Sequence, residues 1–458
     1  MNSSYKYFLA VSVIVFGFVI YQFYFKVVDI DVNIESLVKP DITYEEVTFD
    51  ENNVVVASSY ISITEAGTYV FSGNYDDVNV LVEASGEVVI VLDSASMTSS
   101  NDQLFYIESA DSVLIYTTDS VSSLTIDYES SELDGAVIYC KEDLVISGEG
   151  TINITSNYYD GINARDDLYV ENVTLNVDTA GDGIVGRDYL VFTEADINIT
   201  SGLDGIKTSN EESGDILIES GNFVIDAIHD GISAEGTLQI DGGTFDISTN
   251  GGYDFIIKTI TVGEGSGNTV QKEYIDYSAK SLKSYDILIN GGTFNISSFE
   301  DAVHADNNLN IVSGTFVISC GDTAVHADNN LLIDGIDLLV NDGYEGIEGY
   351  NITINDGDID ISVLDDAVNS DSTLTINGGT IYLYSQGDGL DSNGDLIIND
   401  GYIVIENDAI YTGGDSAIDV SGSISVNGGT IVDENGNSIS YSSSSSQSSQ
   451  GSQNFQRR

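Results

Sequence analysis

Asp160–Leu168 reads DGINARDDL and Asp182–Leu190 reads DGIVGRDYL, so one nine-residue pattern returns after 22 residues. Asp204 then opens DGIKTS and Asp230 opens DGISAEGTL. After a longer interval come DAVHADNNL from Asp301, the one-residue-longer DTAVHADNNL from Asp322, EGIEGYNI from Glu345, DAVNSDSTL from Asp366 and DGLDSNGDL from Asp388. Within each block, successive starts are 21 to 26 residues apart. Each motif leads into alternating apolar residues, a glycine turn and a second alternating run, as in LQIDGGTFDIS from Leu238 and LTINGGTIYLY from Leu374. Alternation sends successive side chains to opposite faces of a strand. Short strands that recur every coil, with no helical period, predict a solenoid. A β-propeller blade needs roughly 40–45 residues and a leucine-rich repeat needs its Leu/Asn signature, so neither fits. The expected fold is all-β: a right-handed single-stranded parallel β-helix of ~22-residue coils, each rising about 4.8 Å.

The alternation begins near residue 53, in ISITEAGTYVFSG and EVVIVLDSA, but the acidic motif is missing until Asp134. This part is expected to form the first, plainer coils and cap; a separate small β domain is the alternative. Residues 250–278 break the period, and AKSLKSYDILINGGTF restores it. An inserted loop or hairpin is expected there, of the kind that often carries binding.

Composition narrows the function. Seventy-five acidic against 13 basic residues give a formal charge of −62. Such a chain repels itself unless cations or a dispersed layout relieve it. Nucleic acid and anionic lipid surfaces are therefore set aside as partners of the body. Halophily would also give this acidity. Cys140 and Cys320 are too few for a disulfide scaffold and read as buried thiols.

Phe8–Phe25 (FLAVSVIVFGFVIYQFYF) is an uncharged run of 18 residues between Lys6 and Lys26. A run of this length can span a bilayer. The expected layout is a membrane anchor at 1–27, a linker at 28–45, the solenoid at 46–437 and a Ser/Gln-rich disordered tail at 438–458, with the body extracellular. A cleaved signal is the alternative for the first segment. The oligomeric state is not legible.

In a solenoid, equivalent positions stack. Asp160, Asp182, Asp204 and Asp230 then form a ladder, as do Asp301 with Asp322 and Asp366 with Asp388. Bare carboxylates at coil spacing cost roughly 3 kcal/mol per pair at an effective dielectric near 20. Divalent cations between coils would relieve this. The donors are all oxygen, with Asn163, Glu348, Asn369 and Asp391 at the third position after the motif's first residue. Such donors favour Ca²⁺. Zinc needs His/Cys clusters, which the sequence does not display. Alternatively, Asp-Gly is turn chemistry alone.

His304 and His326 recur in VHADNN and are expected to stack at one edge, as ligand-binding residues near sugar or metal or as a simple polar stack. Lys141, Arg165 and Arg187 share one position three residues before the strand-opening leucine, with Lys207 nearby. Lys280 and Lys283 follow the insertion. A basic edge beside metal sites could hold an anionic sugar chain; local salt bridging is the alternative.

NYYDGINARDDLYV, YEGIEGYNITINDG and GDGLDSNGDLIINDG resemble the calcium-containing carbohydrate-binding β-helix family related to the pectate lyases of polysaccharide lyase family 9. The resemblance runs from about residue 50 to 435. It implies a right-handed parallel β-helix, bound calcium held by the motif-opening Asp residues, and polysaccharides such as cellulose or polygalacturonate as partners at a cell surface. Three departures stand out. Glu345 replaces Asp in one coil, Lys280 replaces it in another, and Thr323 follows Asp322 where Gly is expected. The leading reading is a surface polysaccharide-binding protein without catalytic residues. A calcium-dependent lyase would use Lys207, Lys280 or Lys283 as its base. A structural adhesin would need no sugar site.

Overall fold

Each short alternating run becomes a strand, and each repeat becomes one coil. The computed structural model describes residues 59–441, apart from 101, 128–134, 212–213, 254–256, 259–268, 271–274 and 408–415. From Tyr60–Ile63 to Thr430–Asp433 the strands form one 35-stranded sheet, wound as a parallel solenoid of about 14 turns. A coil has three faces. In one, these are Asp160–Ala164, Leu168–Glu171 and Thr174–Thr179; in the next, Ile184–Gly186, Tyr189–Thr193 and Ala195–Ser201. The register is parallel, with Ile162 beside Ile184, Leu168 beside Leu190 and Thr174 beside Asp196.

Inward positions hold the core. Ile162, Ile184, Ile206 and Ile232 stack on the first face, and all four are fully buried. On the third face Phe223, Phe245, Phe294 and Phe316 stack in register. Phe245 and Phe294 lie 4.7 Å apart and Phe294 and Phe316 4.4 Å apart, with nearly parallel rings. That is about the strand spacing itself, so the backbone imposes the stacking. Gly292 and Gly314, at φ 124° and 143°, turn the chain into this face. A Cβ on Gly314 would meet the Phe316 ring at 2.9 Å, so glycine is required there.

The first coils belong to the same sheet: Tyr60–Ile63 pairs with Asn79–Glu83, which pairs with Phe105–Ser109. The separate-domain alternative is thereby removed. The insertion is a hairpin in which Ile257–Lys258 and Thr269–Val270 pair antiparallel, outside the main sheet. Ser233 pairs directly with Lys283, so the solenoid closes across the insertion without losing register. Cys140 and Cys320 are buried thiols, not joined in a disulfide.

The second face holds a surprise. Leu114, Val145, Tyr169, Val191 and Leu217 occupy one register row that points away from the core, yet all are buried in a second apolar cluster. Among the described residues no helix is long and apolar enough to cross a membrane. Phe8–Phe25, the linker at 28–45 and most of the 438–458 tail lie outside the described residues.

Candidate functional site

The outer surface of the first face carries two parallel rows of side chains. The inner row consists of the residues that open the motifs. Its carboxylates are buried, as at Asp160, Asp182, Asp230 and Asp301, or half-buried, as at Asp204, Asp366 and Asp388, and do a structural task. The Asp182 amide donates to Asp160 Oδ1 at 2.9 Å, the Asp204 amide to Asp182 Oδ1 at 2.9 Å, and the Asp230 amide to Asp204 Oδ1 at 3.0 Å. Lys280 continues the row, its amide donating to Asp230 Oδ1 at 2.8 Å. Thr323 donates likewise to Asp301, Asp388 to Asp366, and Ser416 to Asp388. One oxygen of each Asp thus caps the backbone of the next coil. Turn chemistry and stacking are both present, joined by a cross-coil cap.

The place expected for Asp322 is corrected by this row. Thr323 pairs with Glu345 and makes the capping contact, so it is the structural equivalent of the motif's first residue. Asp322 sits one residue earlier, in the turn. The extra residue in DTAVHADNNL shifts the register by one.

The outer row lies three residues further on. Pairings run Asn163–Val185–Lys207–Ser233–Lys283–His304, then His326–Glu348–Asn369–Asp391–Asp419. These side chains meet the second carboxylate oxygen of the inner row. Lys207 Nζ lies 2.7 Å from Asp182 Oδ2 and 3.2 Å from Asp204 Oδ2. Lys283 Nζ is 3.4 Å from Asp230 Oδ2, and Lys280 Nζ is 3.3 Å from Asp301 Oδ2. In these middle coils an ammonium stands where a shared cation was expected. Burial opposes the charge on Lys207 and Lys280, but their carboxylate partners outweigh it and hold both above the usual lysine range. Both are thereby poor proton acceptors.

His304 and His326 do stack, edge to face, with centroids 4.6 Å apart. His304 Nδ1 is 2.8 Å from Asp301 Oδ2, and His326 Nδ1 is 3.8 Å from the same atom and 3.4 Å from Glu348 Oε2. The expectation that metal-binding histidine clusters are missing is corrected here: Asp301, His304 and His326 converge from two coils, and all three are buried. Burial disfavours the His304 imidazolium, yet hydrogen bonds to Asp301 and Asp306 hold its pKa at about 9. His229, for which the sequence suggests no role, stacks on Tyr277 at 4.5 Å.

Beyond His326 the sequence has no Lys, Arg or His before Arg457. The rows there hold carboxylates, amides and the Ser416 hydroxyl, with no basic side chain. Donor oxygens of Asp366, Asp388 and Asp391 lie within 4.8 Å of one another. Glu345 Oε2 and Asn369 Oδ1 are buried beside them without a hydrogen-bond partner. Burial, then repulsion from Glu348, Asp365 and Asp366, pushes Glu345 up to about 9. Burial raises Asp366 to about 7, helped by Asp365 and Asp388; Asp391 also reaches about 7, helped by Asp388 and Asp419. At the other end Asp160 rises to about 6, by burial and by Asp182. Its Oδ2 accepts from Asn163 Nδ2 at 2.9 Å, leaving the Asn163 carbonyl buried and unpaired.

Lys141, Arg165 and Arg187 occupy the exposed corner after the outer row, not the row of Lys207. The Arg165 amide donates to the Cys140 carbonyl, beside Lys141. Lys141 pairs with Glu108 at 2.6 Å and lies over the Tyr106 ring. The same corner later carries Tyr285, Asp306, Asp328, Tyr350 and Asp371. Tyr285 is 52% and Tyr350 49% exposed. A depression of about 350 Å³ opens beside the histidines, lined by His326, Asp328, Glu348, Tyr350 and Asp371. The tyrosine positions follow no repeat that marks them, so sequence reasoning did not find them.

A family model described as "Carbohydrate-binding domain-containing protein" matches residues 57–324 and 321–456. A curated relative of the same description from Acetivibrio thermocellus is 30% identical over 131 residues, covering 27% of this chain. The match spans 46% of that relative's own length. A solved structure described as "Structure of the polysaccharide lyase-like protein from C. thermocellum, Gadolinium derivative" aligns at 28% identity and a TM-score of 0.40, over 44% of this chain and 87% of that one.

Proposed function

Because the chain belongs to the family of carbohydrate-binding domain-containing proteins, we propose that it binds an acidic polysaccharide along the corner of the first face, with calcium held in the C-terminal coils. The carrying observation is the depression beside His326, walled by exposed Tyr350 and by Glu348, where the basic middle of the rows meets the acidic end. An exposed tyrosine offers an apolar face for a sugar ring and a hydroxyl for its polar edge. A uronic-acid chain adds carboxylates, which cations at this edge would meet.

Calcium fits the C-terminal rows by donor chemistry. Asp366, Asp388, Asp391, Asn369 and Glu345 supply oxygen only, two of their oxygens are buried without a partner, and no basic side chain follows His326 in these coils. Ca²⁺ accepts six to eight such irregular ligands. Bound there, it would neutralise the rows and could bridge to a glycan carboxylate. Asp160 and Asn163 form a smaller candidate of the same kind. Asp182, Asp204, Asp230 and Asp301 do not fit, because Lys207, Lys283, Lys280 and His304 already meet their free oxygens.

The proposal includes Phe8–Phe25 as an uncleaved anchor that leaves the solenoid outside the membrane, supported by the length of that uncharged run. The lyase alternative is weakened by the ion pairs of Lys207 and Lys280, which oppose the neutral amine a base requires. To test the function, the purified full chain is incubated with immobilised polygalacturonate and with cellulose, with calcium or chelator, while absorbance of unsaturated product is followed. Calcium-dependent retention on polygalacturonate without product supports the proposal. Accumulating product replaces it with the lyase, and retention on neither glycan leaves the adhesin.

A further inference from the structure

Six side chains near the middle of the solenoid, three of them in the wall of the depression, have a geometry that points beyond carbohydrate binding. Asp301 Oδ2 and Glu348 Oε2 lie on one side of the histidine pair, facing the Nδ1 atoms. Asp306 Oδ1 and Asp328 Oδ1 lie on the other side, at 3.0 Å from His304 Nε2 and 3.1 Å from His326 Nε2. Each imidazole is thus flanked by carboxylates at both nitrogens. A neutral imidazole carries one N–H, so its second nitrogen would face an anion with a lone pair; a second proton or a bound cation relieves this, and a metal at the Nδ1 side would take the proton's place.

The distances indicate which cation. Zinc lies roughly 2.0–2.1 Å from His nitrogen and carboxylate oxygen, so a tetrahedral site has donors about 3.3 Å apart. Here the adjoining donor separations are 2.8, 3.4 and 3.8 Å. The two longer ones exceed an ordinary hydrogen bond, and the three together bracket the tetrahedral edge. Asp306 and Asp328 then serve as the carboxylates that hold the distal N–H groups, fixing the tautomer that leaves Nδ1 free to ligate. Imidazole donors disfavour calcium and suit zinc, nickel or cobalt. Lys280 is the competing cation, at 3.3 Å from Asp301 Oδ2, but Glu300 Oε2 at 3.6 Å offers it another partner.

We propose that Asp301, His304, His326 and Glu348 form a site for one borderline divalent metal ion, zinc foremost, separate from the oxygen-only rows of the C-terminal coils. The site joins three successive coils, because Glu348 pairs with His326 and His326 with His304. It would therefore staple the solenoid at its middle. The proposal does not depend on glycan binding.

The test titrates the purified full chain with Zn²⁺ by calorimetry, and with Co²⁺ while recording its visible spectrum, in excess Ca²⁺. One zinc per chain and the intense visible bands of tetrahedral cobalt are expected. His304→Gln with His326→Gln should lower zinc affinity at least a hundredfold. Asp306→Asn with Asp328→Asn, at exposed positions that leave the packing intact, should weaken it roughly tenfold. No zinc uptake by the unaltered chain, unchanged uptake in the double histidine variant, or an octahedral cobalt spectrum would overturn the assignment.

Discussion

The ammonium of Lys207 joins Asp182 Oδ2 and Asp204 Oδ2, at 2.7 and 3.2 Å, so one side chain neutralises carboxylates from two successive coils. Their other oxygens cap the following coils' amides, at 2.9 and 3.0 Å. Protonating or removing these carboxylates would therefore damage the backbone ladder as well as the charge pattern. Removing the lysine leaves buried charge behind. Lys207→Met is expected to cost about 3–5 kcal/mol in urea unfolding. Millimolar Ca²⁺ should recover part of that loss in the variant alone. A variant as stable as the parent would show that the bridge contributes nothing.

Calcium removal should act on the opposite end of the chain. Chelation is expected to deprotect amides in coils containing Glu345, Asp366 and Asp391 in hydrogen exchange, and to leave those around Phe245 unchanged. Asp366→Asn with Asp391→Asn should make the protein indifferent to chelator. Uniform exchange before and after chelation would remove calcium from the C-terminal rows.

The pH dependence of the metal-free protein has a definite sign. Asp366 and Asp391 rise from 3.8 to about 7, Glu345 rises from 4.5 to about 9, and His304 rises from 6.5 to about 9. Each folded pKa lies above its unfolded value, so each group favours the fold below its unfolded pKa. That contribution is lost as pH climbs through the folded value. Melting temperature in chelator is expected to fall between pH 5 and 9, by on the order of 5 °C or more. Ca²⁺ should flatten the carboxylate part of the curve. A melting temperature that rises across this interval would contradict the burial assigned to these groups.

Glycan contact at the corner predicts that Tyr350→Ala lowers retention on polygalacturonate by about tenfold, a stacking loss near 1–1.5 kcal/mol. Tyr285→Ala should have a smaller effect, being outside the depression. Tyr382→Ala, on the third face, serves as the control. Equal losses from all three would place the sugar elsewhere.

Core stacking can be tested separately from binding. Phe294 sits between Phe245 and Phe316, at 4.7 and 4.4 Å. Phe294→Ala is expected to destabilise by about 3–5 kcal/mol through the cavity it leaves. Glycan affinity in the folded fraction should stay unchanged.

The periodicity of DGINARDDL and DGIVGRDYL was enough to specify strands, coil length and stacking, because alternation and a ~22-residue return have few other solutions. It also brought His304 beside His326 and aligned Asn163, Glu348, Asn369 and Asp391 in one row. The row was misread at Asp322, since a one-residue turn extension is invisible until Thr323 is seen to make the capping bond. The buried outward row of Tyr169 and Val191 was missed because alternation marks the two sides of a strand without saying which side is covered.

The order of residues determined a solenoid with stacked acids, because repetition along a chain becomes repetition along an axis. Only the tertiary structure decided which cation meets each acid. Asp182 and Asp204 meet Lys207, Asp301 meets two histidines and Lys280, and Asp366 and Asp391 meet no basic side chain among the described residues. That choice depends on side chains three residues on, in the same coil or the next, and the cross-coil partners lie a few ångströms away in space but 25 residues along the sequence (207 − 182 and 326 − 301).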